Sequence, residues 1–421
     1  MPLLSPVNSH ERETFMDVLR GFAILGIFIA NLGTGFSGYR AADELAGPFL
    51  VGSLDHKMSF LHHMFIEGKF YSIFSLLFGW GLALQFKRAE ARGIDALPTV
   101  RRRLAIMLLL GAIHLLIWPG DIVFFYAMLG FVLLPFRKLT DKQLLITGSL
   151  LVLSPILLYA AKMQWPILNA PSELLFNTGR QVDEKVLDIH SQEDYFNFIK
   201  NAGWWDLLKS NLSGFFYRFG YLFFVSRIPK VLGMFMIGYA LGRSGFYQHF
   251  ASNNKTILII ALLGLVVGLP ANYLLAKYIS DFDGDYWNLK RNGLYQTVAY
   301  ALGVAPLAMA YVASFMVAFH TRFGKKILSL IAPVGKMAFT NYIMQSLIGY
   351  IVFQPAGLGY FGQVGPVYYT LFGLVVFVMQ IILSTMWLRY FNYGPIEWLW
   401  RSATYKKWQP MRKQVETQLA V

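Results

Sequence analysis

Long apolar runs separated by short polar stretches dominate the chain. A helix that crosses a bilayer needs about 20 largely apolar residues. About ten segments approach or exceed this length, and they lie at 17–37, 65–86, 103–118, 121–136, 144–161, 229–243, 256–274, 294–319, 329–353 and 366–388. The pattern therefore predicts an all-α polytopic membrane protein, a bundle of about ten transmembrane helices.

The composition agrees with this class. Hydrophobic residues make up 56% of the 421 residues and charged residues 14%, with a mean hydropathy of +0.47. Soluble domains are about 45–50% apolar and about 25% charged, and disordered chains are less hydrophobic still. The sequence has no cysteine, which excludes disulfides, thiolate nucleophiles and metal sites with cysteine ligands.

The basic residues responsible for the net charge of +14 are concentrated in the loops on one side of the predicted helices. Cytoplasmic loops of membrane proteins retain Lys and Arg, so their distribution predicts orientation. One basic loop follows the second predicted helix and contains Lys87, Arg88, Arg92, Arg101, Arg102 and Arg103. Short loops on the opposite side contain few basic residues. Both termini are therefore predicted to be cytoplasmic, and the charge does not indicate nucleic-acid binding.

Four parts of the chain follow from this topology. They are an N-terminal membrane half of five helices at 1–161, an extracytoplasmic, partly amphipathic segment at 162–228, a C-terminal membrane half at 229–401 with five helices and an interfacial helix, and a cytoplasmic tail at 402–421. Acidic and basic residues balance in the extracytoplasmic segment, and its aromatic residues suit the membrane interface.

The first predicted helix carries a charged pair at its cytoplasmic mouth. Asp17 and Arg20 are three residues apart, so they share one helix face and can pair. The planar fork of Arg20 suits phosphate, such as the nucleotide end of a thioester donor. An arginine that reaches lipid headgroups is the alternative.

The outer end of the second predicted helix carries Glu67 and Lys69, preceded by His62 and His63. Glu67 and Lys69 point to different faces, so we expect their partners on other helices. Adjacent histidines on a helix do not readily chelate one ion, so no metal is expected. The histidines are candidates for a base at the outer surface, or are plain interfacial residues.

A histidine and an aspartate flank the predicted turn at 118–120. His114 lies near the end of the third helix, and Asp121 begins the fourth, where the helix dipole favours a carboxylate. The hairpin brings the two side chains toward each other. A carboxylate that orients an imidazole prepares a general base, so His114 and Asp121 are the catalytic candidates. A helix cap and a buried structural histidine are the alternatives.

The ninth predicted helix contains Lys336, Thr340 and Asn341, with further polar residues after them. Spaced four residues apart, Lys336 and Thr340 are expected on one face of a continuous helix. Such a helix faces protein or a wet cavity, and Lys336 or Asn341 could bind substrate. Hydrogen bonds between helices are the alternative explanation.

Together the motifs resemble those of the YeiB-like family of bacterial inner-membrane proteins, a family of unknown function. The motifs are Asp17–Asn31, Glu67–Phe70, Leu77–Gly79, His114, Gly120–Ile122, Tyr126–Ala127, Gly335–Ser346 and Gly394–Arg401. The resemblance covers essentially the whole chain, apart from 162–228, which matches no motif.

The opening Asp-Val-Leu-Arg-Gly also looks like the start of the transmembrane acyltransferase superfamily, which includes the acyltransferase-3 enzymes and the heparan glucosaminide N-acetyltransferases. This resemblance implies transfer from cytoplasmic acetyl-CoA, or another acyl-CoA, to an extracytoplasmic sugar or lipid-linked acceptor. It also implies a catalytic histidine near the outer end of the early helices, for which His62, His63 and His114 are candidates.

Acyl transfer is the leading functional hypothesis. Arg20 would hold the donor, His114 and Asp121 would activate the acceptor, and Lys336 or Asn341 would steady the oxyanion. One alternative is a secondary transporter or exporter with a polar path that contains Asp17, Glu67, Lys69, Asp121 and Lys336. A second is a non-catalytic scaffold. The expected partners are membrane lipids and an acceptor molecule, without nucleic acid, and the sequence leaves open a homo-oligomer.

Overall fold

The structure is a computed structural model that describes residues 14–39, 52–246 and 254–413. Every named regular element in these ranges is a helix. The six helices of the N-terminal part are α1 (Thr14–Asn31), α2 (Ser53–Phe65), α3 (Lys69–Glu90), α4 (Leu97–Ile117), α5 (Val123–Phe136) and α6 (Asp141–Gln164). A π-helical turn, Leu32–Phe36, extends α1.

Three helices follow in the segment predicted to be extracytoplasmic, and the C-terminal part contains eight more among the described residues. The first three are α7 (Ala170–Val182), α8 (Gln192–Asn201) and α9 (Trp204–Phe224). The others are α10 (Arg227–Ser244), α11 (Asn254–Trp287), α12 (Arg291–His320), α13 (Arg322–Leu328), α14 (Ala332–Lys336), α15 (Ala338–Phe353), α16 (Pro366–Tyr390) and α17 (Pro395–Tyr405).

Within the described ranges, five helical segments are long and apolar enough to cross a membrane. They are Thr14–Phe36, Asp141–Gln164, Lys255–Trp287, Arg291–His320 and Pro366–Tyr390. Counting each of two bent helix pairs as one span raises the number to as many as seven. The all-helical class is therefore confirmed, with five to seven candidate membrane-spanning helices among the described residues. A helix is present at each of the ten predicted segments, but ten spans and cytoplasmic termini stay predictions.

The ninth predicted span is not one continuous helix, and that expectation was wrong. Helices Arg322–Lys336 and Ala338–Phe353 meet at 77°. The break is at Met337, whose backbone angles are φ −110° and ψ 35°. Lys336 and Thr340, expected on one helix face, therefore belong to different helices.

A buried carboxylate stabilises this break. Glu397 of α17 accepts hydrogen bonds from the backbone N–H groups of Phe339 and Thr340, at 2.7 and 3.1 Å, and from the hydroxyl of Thr340. The first N–H groups of a helix have no partner inside it. Glu397 supplies partners for α15, so a second helix can begin directly after Met337.

Helix α10 packs against α3 and α6 with almost no space between the backbones. A methyl group at Gly238 would overlap the carbonyl oxygen of Leu76 in α3, and one at Gly79 would overlap that of Phe235 in α10. Small residues at such crossings let helices in a membrane approach closely. The contact fixes the middle of α10 against α3 in the core of the bundle.

Helices α9 and α10 form the second bent pair, at 69°. Ser226 lies at the bend with φ 51°, a left-handed conformation that costs a non-glycine residue roughly 1–3 kcal/mol. On α9, the buried Asn211 donates hydrogen bonds to the carbonyl groups of Leu116 and Ile117, at 2.9 and 2.6 Å. Part of segment 162–228 is thus joined to the end of α4.

The predicted orientation can be tested with single cysteines, because the chain has none of its own. Glu184 and Arg92 are both exposed, the first in segment 162–228 and the second in the basic loop after α3. A membrane-impermeant maleimide applied to intact cells should label Glu184→Cys and spare Arg92→Cys. Both should react after permeabilisation, and a reversed pattern in intact cells would contradict the orientation.

Candidate functional site

The candidate site lies in the hairpin between α4 and α5. The Nδ1 atom of His114 is 2.7 Å from Oδ1 of Asp121, and both residues are 2% exposed. The second carboxylate oxygen of Asp121 accepts a hydrogen bond of 2.6 Å from the backbone N–H of Phe124 in the first turn of α5. Asp121 therefore caps a helix and orients the imidazole, two roles that the sequence left as alternatives.

This geometry fixes the tautomer of His114. A carboxylate only accepts hydrogen bonds, so Nδ1 donates to Asp121 and Nε2 of the neutral ring carries the lone pair. Nε2 is buried and has no hydrogen-bond partner in the described part of the chain. An oriented imidazole with an unused basic nitrogen can accept a proton from a bound hydroxyl or amine.

Aromatic rings enclose the imidazole of His114. The ring centroid of Tyr342 in α15 lies 5.2 Å away and that of Trp118 6.1 Å away. The hydroxyl of Tyr342 also accepts a hydrogen bond of 3.2 Å from the backbone N–H of Ile122, just before α5. The break at Met337 therefore has a consequence for the site, because it sets the direction in which α15 presents Tyr342.

The other two candidate histidines lie on α2. His62 is bonded on both ring nitrogens, with Nδ1 3.1 Å from the hydroxyl of Tyr369 and Nε2 2.8 Å from that of Thr370. Burial lowers the pKa of His62 to about 4, so its ring is neutral near pH 7. These bonds join α2 to α16 through His62. Both ring nitrogens are used, so neither is available to take a proton from an acceptor substrate.

A second imidazole–carboxylate pair joins His63 and Glu67, with Nδ1 2.5 Å from Oε2. Its side chains are 15% and 28% exposed, unlike the fully buried pair at His114. Lys69 is buried and donates a hydrogen bond of 2.7 Å to the carbonyl group of His63. The partner of Lys69 is therefore on another helix, as expected, whereas the bond between Glu67 and His63 is local.

At the other end of the bundle, Arg20 and Asp17 form the ion pair that their spacing predicts, with 2.8 Å between NH1 and Oδ1. The side chain of Asp17 is 6% exposed and that of Arg20 is 29% exposed. The buried carboxylate holds one guanidinium nitrogen, and the side chain of Arg20 is partly exposed. Arg20 is thus positioned to meet an anion at the surface.

Among the described residues, no hydrogen bond or ion pair joins Lys336 or Asn341 to His114. Lys336 ends α14. The side-chain amide of Asn341 donates to the carbonyl group of Met337 at 3.1 Å and to the hydroxyl of Ser384 at 3.0 Å. These bonds connect the helix break to α16, which matches the interhelical alternative for Asn341.

Sequence reasoning missed Arg218 on α9. Its Nε atom is buried and lacks a hydrogen-bond partner among the described residues. The guanidinium lies close enough to Asp121 and Tyr342 to interact with both electrostatically. The sequence feature that could have indicated Arg218 is its position as the single basic residue of the aromatic stretch 215–224, but this segment matched no motif.

The described residues contain no group of three His, Asp or Glu side chains that could hold a metal ion.

Comparison with known proteins gives relatives along the whole chain. The chain is 32% identical to the uncharacterized protein YxaH of Bacillus subtilis (strain 168), over 99% of this chain and 100% of that protein. It is 29% identical to the uncharacterized protein YeiB of Escherichia coli (strain K12), over 94% of this chain and 97% of that protein.

A third relative is an uncharacterized 39.9 kDa protein from the amylase 3′ region of Bacillus acidopullulyticus, 28% identical over 97% of this chain and 98% of that protein. The family described as "Protein of unknown function (DUF418)" matches residues 241–407. No solved structure matches the chain. The similarity to YxaH over both full lengths shows that the chain belongs to the YeiB-like family of proteins of unknown function.

Proposed function

We propose that this protein is a membrane-embedded acyltransferase that uses a cytoplasmic acyl-CoA, such as acetyl-CoA, and an extracytoplasmic sugar or lipid-linked acceptor. The observation that carries the proposal is the buried His114–Asp121 pair, in which Nε2 of His114 has no hydrogen-bond partner among the described residues. The bacterial inner membrane is the corresponding location, because the donor is made on one side and the acceptor lies on the other.

The proposed reaction begins when Nε2 of His114 takes the proton from an acceptor O–H or N–H. The acceptor atom attacks the thioester carbonyl, and a tetrahedral oxyanion forms. Collapse of this intermediate breaks the C–S bond, and the imidazolium returns its proton to the departing CoA sulfur. Asp121 keeps Nδ1 as the donor and stabilises the imidazolium, as in other imidazole–carboxylate pairs.

The donor is a substrate here and not a resident cofactor. Arg20 supplies a planar, always-charged fork at the predicted cytoplasmic end, where it can hold phosphate groups. Asp17 orients this guanidinium through the 2.8 Å ion pair. The proposal thus assigns donor binding and acceptor activation to opposite ends of the polar core.

A transporter is the second candidate, and the two bent helix pairs favour it. Transporters bind substrates at interrupted helices, whose exposed backbone groups and helix ends contact ions. Asp17, Glu67, Lys69, Asp121 and Lys336 would then mark a polar path. The two candidates differ in the residue that matters more, His114 for acyl transfer and Asp121 for transport.

Replacing the proposed base tests the acyltransferase directly. His114→Ala should lower CoA release from acetyl-CoA by about 10²–10⁴-fold in protein reconstituted with acceptor-containing lipid extract. Asp121→Asn should be less damaging, because it removes the orienting charge and keeps the shape. CoA can be measured by its thiol, since the protein contains no cysteine.

The chain provides a matched control on its surface. His190 also pairs with an aspartate, Asp188, at 2.9 Å, but both side chains are exposed, so His190→Ala should retain full activity. Greater damage from Asp121→Asn than from His114→Ala would favour the transporter. If His114→Ala lowered only the melting temperature, or if His63→Ala carried the loss of activity, the assignment of the base would be wrong.

Arg20 provides a separate test of the donor site. Arg20→Ala should weaken acetyl-CoA binding at least tenfold, measured as thermal stabilisation of the purified protein. Arg20→Lys should restore it only in part, because an ammonium lacks the planar fork. Normal binding by folded Arg20→Ala protein would show that the arginine contacts lipid headgroups instead.

A further inference from the structure

A group of three basic side chains lies close to the His114 site, and one of them is within electrostatic reach of Asp121. It consists of Arg218 on α9 and Arg227 and Lys230 on α10, and we call these three residues the cationic cluster. Lys230 is 8% exposed and the two arginines are partly buried. None of the three belongs to a motif from which the family was recognised.

Neutral tyrosines surround the cationic cluster. Arg227 donates to the hydroxyl of Tyr221 at 3.0 Å and to that of Tyr300 at 3.3 Å, and its guanidinium carbon lies 4.3 Å from the ring centroid of Tyr71. The ammonium of Lys230 lies 4.1 Å from the ring centroid of Tyr300. These contacts hold the cations in place without neutralising them.

The carboxylates near the cluster are already engaged. Glu67 interacts electrostatically with Arg227 and Lys230, but its ion pair is with His63. Asp121 acts on Arg218 but is bonded to His114. In the described ranges no carboxylate lies within the ion-pair distance of 4.0 Å from any of the three cations.

A further basic residue, Lys162, lies near the cluster. Lys162 of α6 is buried and interacts electrostatically with Lys230. Its ammonium donates to the carbonyl groups of Phe223 and Phe224, at 3.1 and 2.9 Å, and not to an acid. Buried charge is costly unless it is paired, and an arginine stays protonated where a lysine can lose its proton. The two arginines therefore indicate an anionic ligand that the described residues do not supply.

We propose that the cationic cluster binds a phosphate group, presented by the acceptor from the outer side. Two guanidinium forks and an ammonium match phosphate, which offers several acceptor oxygens and up to two negative charges. The buried Nε of Arg218, which lacks a partner among the described residues, is one donor available for it. The description of this ligand as the acceptor rests on the proposed function, but the binding of phosphate does not.

The position of the cluster fits this role. Arg218 is close enough to Asp121 to interact with it electrostatically, and Arg227 is close enough to Tyr126, whose hydroxyl is 2.6 Å from that of Ser75 in α3. The cluster is therefore electrostatically linked to α5, the helix that Asp121 caps.

Anion binding can be measured without an acyl donor, so its failure is distinct from a failure of acyl transfer. Purified full-length protein would be titrated with inorganic phosphate in nanodiscs of phosphatidylcholine, with melting temperature as the readout. A second arm would compare nanodiscs with and without phosphatidylglycerol. Phosphate-dependent stabilisation identifies a soluble source for the phosphate, and stabilisation only by phosphatidylglycerol identifies a lipid headgroup.

Arg218→Gln, Arg227→Gln and Lys230→Met should each weaken binding at least tenfold for the phosphate source that stabilises the wild type. Arg291→Gln is the matched control, because Arg291 is exposed but makes a similar contact with Tyr295, at 2.6 Å. It should bind like the wild type.

Without the anion, Arg218→Gln should melt no lower than the wild type, because it removes an uncompensated buried charge. If Arg218→Gln does not fold, the other two variants decide the test. Equal responses in the wild type and all folded cluster variants, or no response of the wild type to either phosphate source, would overturn the proposal.

Discussion

The close crossing of α10 with α3 and α6 determines where the polar core can form. Gly238 and Gly79 remove the side chains that would hold α3 and α10 apart, so the backbones touch. Arg227 and Lys230 consequently begin α10 directly opposite Tyr71 of α3 and Tyr300 of α12. The rings provide favourable cation–π contacts for these charges, which would be costly in a purely aliphatic bundle.

The helix bundle has a low-dielectric interior, so buried polar atoms that lack a hydrogen-bond partner are informative. Most buried polar atoms in proteins have a partner, because an unsatisfied group costs roughly 1–3 kcal/mol. Nε2 of His114 and Nε of Arg218 have none among the described residues, although Asp121 lies near both side chains. A ligand with both a proton to give and a negative charge would satisfy the two atoms together.

The sequence predicted the features that depend on local spacing. Asp17 and Arg20 pair because they share a helix face, and His114 meets Asp121 because a three-residue turn returns the chain. The break at Met337 could not be predicted in this way, since it is stabilised by Glu397 from a helix far along the chain. Arg218 was missed for the same reason, because its importance arises from helix packing.

The most direct measurement of the central claim is the tautomer of His114. Nitrogen NMR on ¹⁵N-histidine-labelled protein near pH 7, with the signal assigned from its absence in His114→Gln, distinguishes the two ring nitrogens among eight histidines. The 2.7 Å contact with Asp121 requires a protonated Nδ1, and the proposed role as a base requires an unprotonated Nε2. A proton on Nε2, with Nδ1 either bare or also protonated, would contradict the account.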